Sequence, residues 1–445
     1  MPRTELIRRL ADLDPVTPAA CFVLLWTYFR HDEVGLPAVE NRVRAQWGHV
    51  LRLPAPDLSA KDLLSVLNEL QAQSGEPFDV LALQILKGLD ALLNEGDPQD
   101  FDNAELMGID GELHTVRSRN NFLASHGDVT WARRQGLSLA AYCPRFMVVP
   151  SHPVQGFRIV SRSLSSWGTR YLQDRLHAER ESLRIMLWPL QCPLDYLAFE
   201  EMVKKPPPLH VSLDQLRNEP VIQAEVRSAL EEARKEKVTL LILPELSIPP
   251  ATALDIRRAL AAQGVDGYPI LTLFGCSHRR NDSGDLDVNE AVLLGPDGSE
   301  LYRHRKLAPF TDYAGGEDYP CGENLETGEI VAVLECSLGN LTPLICLDLF
   351  NAAVRDVLTR SHGNLFAVPS LSPKTSAHQT AASDLQGRLL ASTFVCNHWN
   401  DEKPHHQSTS FYQVPVSQGR QFHVSPSAPG AGKPYLLFKL GRLKK

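Results

Sequence analysis

Three reactive side chains stand where strand-like runs of this sequence end. The run VTLLIL leads into Pro244 and Glu245, the segment ELYRHRK ends at Lys306, and TPLI is followed by Cys346. A carboxylate, an ammonium and a thiol form a set that can do acyl chemistry. A cysteine thiolate is a ready nucleophile. A helix starting just after it would lower its pKa through the N-terminal dipole, and a nearby lysine would add positive charge. A glutamate can take the thiol proton and return it to a leaving amine. The lysine, with the backbone N–H of Leu347, can stabilise a tetrahedral oxyanion. Taken singly, each residue has an ordinary explanation. A strand-end cysteine fills core, a glutamate after a strand caps or solvates a loop, and a lysine in YRHRKL is a surface charge.

The elements that would position these residues alternate. LRIMLWPL, VTLLILPEL, PILTLFG, GNLFAVPS and ASTFVCN read as strands buried on both faces. Helical segments separate them, among them VIQAEVRSALEEARKEK and Thr252–Gln263. EAVLLGPDGSELYRHRK reads as a hairpin turning at Pro-Asp-Gly, and EIVAVLE and NLTPLIC as a further strand pair. This rhythm predicts an α/β sheet architecture, whose sites gather at the carboxyl ends of strands. Before it, residues 1–165 read as a mostly helical accessory domain, with AACFVLLWTYF as a buried helix too short to span a bilayer. The polar stretch from Gly96 to Gly136 has no assignable pattern, and its Arg117, Arg119, Arg133 and Arg134 read as surface charges.

PELSIP, HRKLAPF and LICLDLF, in that order, resemble the three motifs of the carbon–nitrogen hydrolase (nitrilase-like) superfamily. LLGPDGSELYRHRKL resembles the hairpin that carries the family lysine, and STFVCN the later strand ending in asparagine, here Asn397. The resemblance covers residues 183–440. It implies a four-layer α-β-β-α sandwich and a Glu–Lys–Cys triad of Glu245 as base and acid, Lys306 as oxyanion stabiliser and Cys346 as nucleophile. It also implies cleavage of an amide-type bond of a small amide or nitrile through a thioester, without cofactor, in a protein that self-associates. A glutaminase-like domain supplying a partner is one alternative. A non-catalytic sensor or scaffold whose helical domain binds a protein partner is another.

The motifs depart from the family in places. Leu347 replaces the aromatic residue common after the cysteine, whereas Asp348 matches the acidic residue one position further on. A second glutamate, in a form like PFGEY, is replaced by Pro309-Phe310-Thr311-Asp312-Tyr313. Asp312 stands in its place, with Glu317 of AGGEDYP as the substitute. His398, beside Asn397, is expected to line the pocket.

Composition bounds the rest. A chain of 445 residues, 43% hydrophobic and 22% charged, predicts two globular domains. A net charge of −8 without a concentrated basic segment argues against nucleic acid. Eight scattered cysteines without a CxxC read as reduced thiols of a cytoplasmic protein, and the N-terminus does not read as a signal peptide. Fifteen histidines show no metal-ligand spacing. A Cys–His pair of Cys346 with His362, His378 or His398 would leave Glu245 and Lys306 unexplained.

Overall fold

In the computed structural model, residues 3–30, 39, 60–72, 76–93, 104–119, 139–164, 170–192, 209–210, 212–213, 216, 219–312, 321–399, 410–415, 420–422 and 434–440 are described. The N-terminal part begins with helices Arg3–Ala11, Pro18–Arg30, Ala60–Ala72 and Glu76–Leu93. Pro18–Arg30 is apolar on every side, and ten of its residues are buried, from Ala19 to Phe29. A helix of that kind must be surrounded by protein, and it packs chiefly against Glu76–Leu93.

The stretch without an assignable pattern contributes β1 (Leu106–Met107) and β2 (Leu113–Ser118), which form an antiparallel sheet with β3 (Phe146–Pro150). Among the described residues the N-terminal part is thus mostly helical, with one small antiparallel sheet added to it. Arg119 corrects the expectation of a surface charge: it is 4% exposed and donates to the carbonyl of Leu389. Arg133 and Arg134 lie outside the described residues.

Two larger sheets follow. Their strands begin with β4 (Arg158–Ser163) and β5 (Arg184–Leu187). A short β6 (Leu209–His210) precedes β7 (Leu240–Ile242) and β8 (Leu271–Gly275). A ribbon of β9 (Arg279–Arg280) and β10 (Asp287–Val288) leads to the hairpin of β11 (Glu290–Leu294) and β12 (Glu300–Arg305). After β13 (Thr311–Asp312) and β14 (Cys321–Gly322) come β15 (Ile330–Cys336), β16 (Gly339–Pro343), β17 (Leu365–Pro369) and β18 (Ser392–Cys396). The last are β19 (Phe411–Gln413), β20 (Arg420–Phe422) and β21 (Leu436–Lys439).

One sheet has the order β12-β11-β8-β7-β5-β21, and the other β20-β19-β18-β17-β16-β15-β4. Both have parallel centres, β5-β7-β8 and β16-β17-β18, flanked by antiparallel strands. β4, at residues 158–163, is the edge strand of the second sheet, parallel to β15.

The alternation of strand side chains sorts the core. Ile185, Leu240, Ile242, Leu271 and Leu273 of one sheet share a buried cluster with Leu334, Leu341, Leu365, Ala367 and Phe394 of the other, so the sheets meet face to face. The outward Met186, Leu241, Phe274 and Val292 pack against Ile222 and Val226 of helix Glu219–Lys235 and Ile256 and Leu260 of helix Pro250–Ala261. On the far side, Phe366, Val368 and Val395 pack against helices Ala352–Arg360 and Ser376–Leu389. That cluster continues without a break into Phe22, Leu25 and Leu86 of the N-terminal helices. Among the described residues, no helix is long and apolar enough to cross a membrane.

Candidate active site

The strand-end residues converge. β7 ends at Ile242, and the chain reaches Glu245, 1% exposed, with Leu246 at φ 54°. β8 must pass close to this turn: a Cβ on Gly275 would lie 2.4 Å from the Cα of Glu245, so the position has room only for glycine. β12 delivers Lys306, 2% exposed. Its Nζ donates to Glu245 Oε1 at 2.8 Å and to Glu323 Oε2 at 2.6 Å. Asn289 Nδ2 bridges the same two carboxylates, at 2.9 Å from Glu245 Oε1 and 2.9 Å from Glu323 Oε1. Leu371 N–H donates to Glu245 Oε2 at 2.9 Å, Phe310 N–H to Glu323 Oε2 at 2.8 Å, and His278 Nε2 lies 3.2 Å from Glu323 Oε1.

Cys346 is buried, with φ 42°, in the left-handed region that costs an ordinary side chain energy and persists only where its surroundings impose it. The α-helix does not start directly after it. A 3-10 turn, Cys346–Leu349, intervenes, and the α-helix begins at Ala352, capped by Asn351 accepting from Ala353 N and Val354 N. Asp348 holds the turn. Its Oδ1 accepts from Leu307 N and Ala308 N at 2.9 and 3.0 Å, and its Oδ2 from Ile345 N at 3.0 Å; His304 Nε2 lies 2.9 Å from Oδ2. One buried carboxylate thus ties the backbone after Lys306 to the backbone before Cys346. Around the sulfur, Ser370 Oγ donates at 3.4 Å, and the thiol points to the carbonyl of Leu371 at 3.9 Å.

The supporting residues expected from the sequence divide. Asn397 braces the loop after β17: Ser372 N donates to its Oδ1 at 3.0 Å, and its Nδ2 donates to Ser372 O at 2.8 Å. His398 lies behind the site, with Nε2 2.7 Å from the Glu245 carbonyl and Nδ1 3.2 Å from the Leu190 and Gln191 carbonyls. Leu347 is partly buried against the outer core cluster. His362 is not at the site; it contacts Glu335 and Ser161. Glu317 and the side chain of Asp312 lie outside the described residues.

The second carboxylate at Lys306 is Glu323, which the sequence reading passed over. β13 and β14 pair antiparallel, Thr311 opposite Gly322 and Asp312 opposite Cys321. Phe310 and Glu323 are therefore brought side by side. With the segment 311–321 set aside, Pro309-Phe310 and Gly322-Glu323 read continuously as Pro-Phe-Gly-Glu. Glu323 N donates to Phe310 O at 2.9 Å, and a Cβ on Gly322 would lie 2.2 Å from that oxygen. The usable signal was the Gly-Glu pair beyond the insertion.

The electrostatics separate the two carboxylates. Burial opposes the charge of Lys306, but Glu245 and Glu323 outweigh it and hold the ammonium firmly protonated. Burial also opposes the charge of Glu323, yet Lys306 and His278 pull its pKa well below the ordinary carboxylate range. Glu245 goes the other way: burial first, then the Glu323 charge, push it up against Lys306 and Asn289. Two acids pushed apart around one ammonium leave one fixed as an anion and the other able to carry a proton. Burial, then the Glu245 charge, push the Cys346 thiol up, while Lys306 and the Ser370 hydroxyl pull it down.

Residues 215–398, which contain Glu245, Lys306, Glu323 and Cys346, match the family described as carbon-nitrogen hydrolase. This part of the chain is similar to the carbon–nitrogen hydrolase family. No curated protein matches the chain in sequence. Two similar solved structures are of amidases. One is a mutant of the amidase from Nesterenkonia sp. AN1 with covalent addition of the acetamide moiety of fluoroacetamide at its active site cysteine. It is 16% identical, with a TM-score of 0.41, covering 59% of this chain and 92% of that one. The other is an amidase from Nesterenkonia sp., 15% identical, with a TM-score of 0.39, covering 59% and 91%. The segment that matches this family holds a buried acid, ammonium and thiol at neighbouring strand ends.

Proposed function

We propose that this chain hydrolyses an amide-type carbon–nitrogen bond of a small molecule, with Cys346 as nucleophile. The observation that carries this reading is the Lys306 ammonium, held between Glu245 and Glu323 at 2.8 and 2.6 Å, in the site that also contains the thiol. Glu245 takes the thiol proton as sulfur attacks the carbonyl carbon. Lys306 and the N–H of Leu347 meet the charge developing on the carbonyl oxygen. The carbon–nitrogen bond then breaks, and Glu245 gives its proton to the departing nitrogen. Glu245 next removes a proton from water, which attacks the thioester, and the product acid leaves with the thiol restored. Glu323 keeps Lys306 charged throughout, so Glu245 can cycle between its two forms.

The test is ammonia release from a panel of small primary amides. Wild-type protein is expected to turn over at least one of them, and Cys346→Ala and Glu245→Gln to lose roughly a thousandfold or more in kcat. Turnover that survives in Cys346→Ala overturns the reading.

A further inference from the structure

Cys346 has a second line of contacts on the side away from the carboxylates. Ser370, directly after β17, is held at the sheet end by its N–H to the carbonyl of Cys396 at 2.8 Å. Its Oγ lies 3.4 Å from the Cys346 sulfur and 3.2 Å from Nε2 of His378, in the first turn of helix Ser376–Leu389. Ser370 and His378 are both fully buried, and the ring of Phe350 packs edge-on against His378 at 4.6 Å.

The tautomer follows from the accounting of protons. Nδ1 of His378 is buried with no hydrogen-bond partner among the described residues. A proton there would be an orphaned N–H in the core, whereas a proton on Nε2 has the Ser370 oxygen as acceptor. With Nε2–H donating to Ser370 Oγ, the hydroxyl hydrogen is free to donate to sulfur. The chain then runs in one direction, from Nε2–H to Oγ–H to Sγ. Each donor polarises the next, and a charge-assisted acceptor at the end gains most.

We propose that Ser370 and His378 form a donor relay that stabilises the Cys346 thiolate, with Ser370 touching the reacting sulfur and His378 positioning and polarising Ser370. The proposal rests on Cys346 being the nucleophile. No proton leaves through the relay; the thiol proton still goes to Glu245. His378 acts as a neutral donor, because burial, with Lys306 adding to it, pushes its pKa down to about 3. The relay also has a use in the protonated resting state. The thiol then donates toward the Leu371 carbonyl, and on deprotonation that contact turns repulsive while the Ser370 contact strengthens. The other charged groups acting on the sulfur are Glu245 and Lys306, with Glu323 acting through Lys306. Among the described residues, none of the three is hydrogen-bonded to the side chain of Ser370 or His378.

The test is the rate of Cys346 alkylation by iodoacetamide against pH, read by mass spectrometry on the full chain. Ser370→Ala is expected to move the midpoint of the profile up by about one pH unit, a roughly tenfold slower reaction at pH 7, with the high-pH plateau kept. His378→Phe is expected to move it in the same direction by less, and His378→Gln, which keeps a donor at the Nε2 position, and Ser370→Thr to restore it. A structural disturbance would lower the plateau instead, and the conservative pair would not restore the midpoint. Profiles with unmoved midpoints in Ser370→Ala and His378→Phe overturn the relay. If Cys346 is no more reactive than Cys336 or Cys396 in the wild type, the nucleophile reading itself falls, a result separate from the first.

Discussion

Charged groups are buried both around Lys306 and in the N-terminal part, but the two regions accommodate them differently. Near Lys306, Glu245 accepts from three donors on its two oxygens, Asp348 accepts three backbone N–H bonds and contacts His304, and Glu323 also meets two side chains and a backbone N–H besides the lysine. In the N-terminal part, Arg119 makes a side-chain bond to Leu389 O, while its Nε and Nη1 find no partner among the described residues, and neither do the two amide atoms of Gln84. Both regions have dense apolar cores, so the difference is not in packing. Around Lys306 the carboxylate oxygens are all bonded, although Asn289 Oδ1 and His304 Nδ1 find no partner among the described residues, and such a network costs desolvation wherever it is built. It is kept where the orientation of charge must be fixed before substrate arrives.

Removing the central cation should therefore be the most damaging single change. In Lys306→Ala, Glu245 and Glu323 are left sharing Asn289 with no positive charge between them. A loss of about 3–5 kcal/mol is expected on breaking a buried pair of this kind. Urea unfolding gives the stability, and the alkylation profile of Cys346 should move to higher pH as the ammonium's pull on the thiol disappears. A loss below about 1 kcal/mol would mean that the network is no more integral than the N-terminal polar groups.

The contrast also explains what could be read from sequence. Glu245 and Cys346 were legible because strands buried on both faces announce themselves as apolar runs, and Lys306 because its strand is the second arm of a hairpin marked by Pro-Asp-Gly. Glu323 was not legible, because an insertion separates Gly322-Glu323 from Pro309-Phe310, and only the pairing of β13 with β14 restores the juxtaposition. The helix at NAAVRDVLTR was legible and lies at Ala352–Arg360, but the 3-10 turn that Asp348 holds between Cys346 and that helix was not. Arg119 failed for a different reason. Its side chain meets a carbonyl distant in sequence, Leu389 O, reached only in the folded chain. The sheet β1-β2-β3 is short and polar on one side, with little periodicity to detect.

The N-terminal part should show its own dependence on pH. Asp90 accepts from Phe146 N at 2.9 Å and Arg145 N at 3.2 Å, yet burial pushes its pKa up to about 7 from an ordinary 3.8. The unfolded chain releases this proton first. The folded form therefore binds the extra proton between about pH 4 and 7, and the stability it contributes is complete below 4 and is lost as pH rises through 7. Asp90→Asn removes that dependence. Relative to wild type, the variant should gain about 1–3 kcal/mol on going from pH 4.5 to 7.5 in urea unfolding. A difference that does not change with pH would place Asp90 with the saturated carboxylates of the other region.

Gln84 offers the smallest effect and the finest test of the contrast. It lies on helix Glu76–Leu93, with no exposure, in the same apolar cluster region as Leu81, Leu83 and Ile85. Its amide was desolvated on folding, and no hydrogen bond among the described residues offsets that loss. Leucine has nearly the same volume and nothing to desolvate. Gln84→Leu should thus stabilise the protein by about 1 kcal/mol, read from the urea midpoint, while the pH profile of Cys346 alkylation stays where it was. A loss of stability would show that the amide is satisfied in the folded protein, and that the N-terminal part holds its polar groups as closely as the strand-end site does.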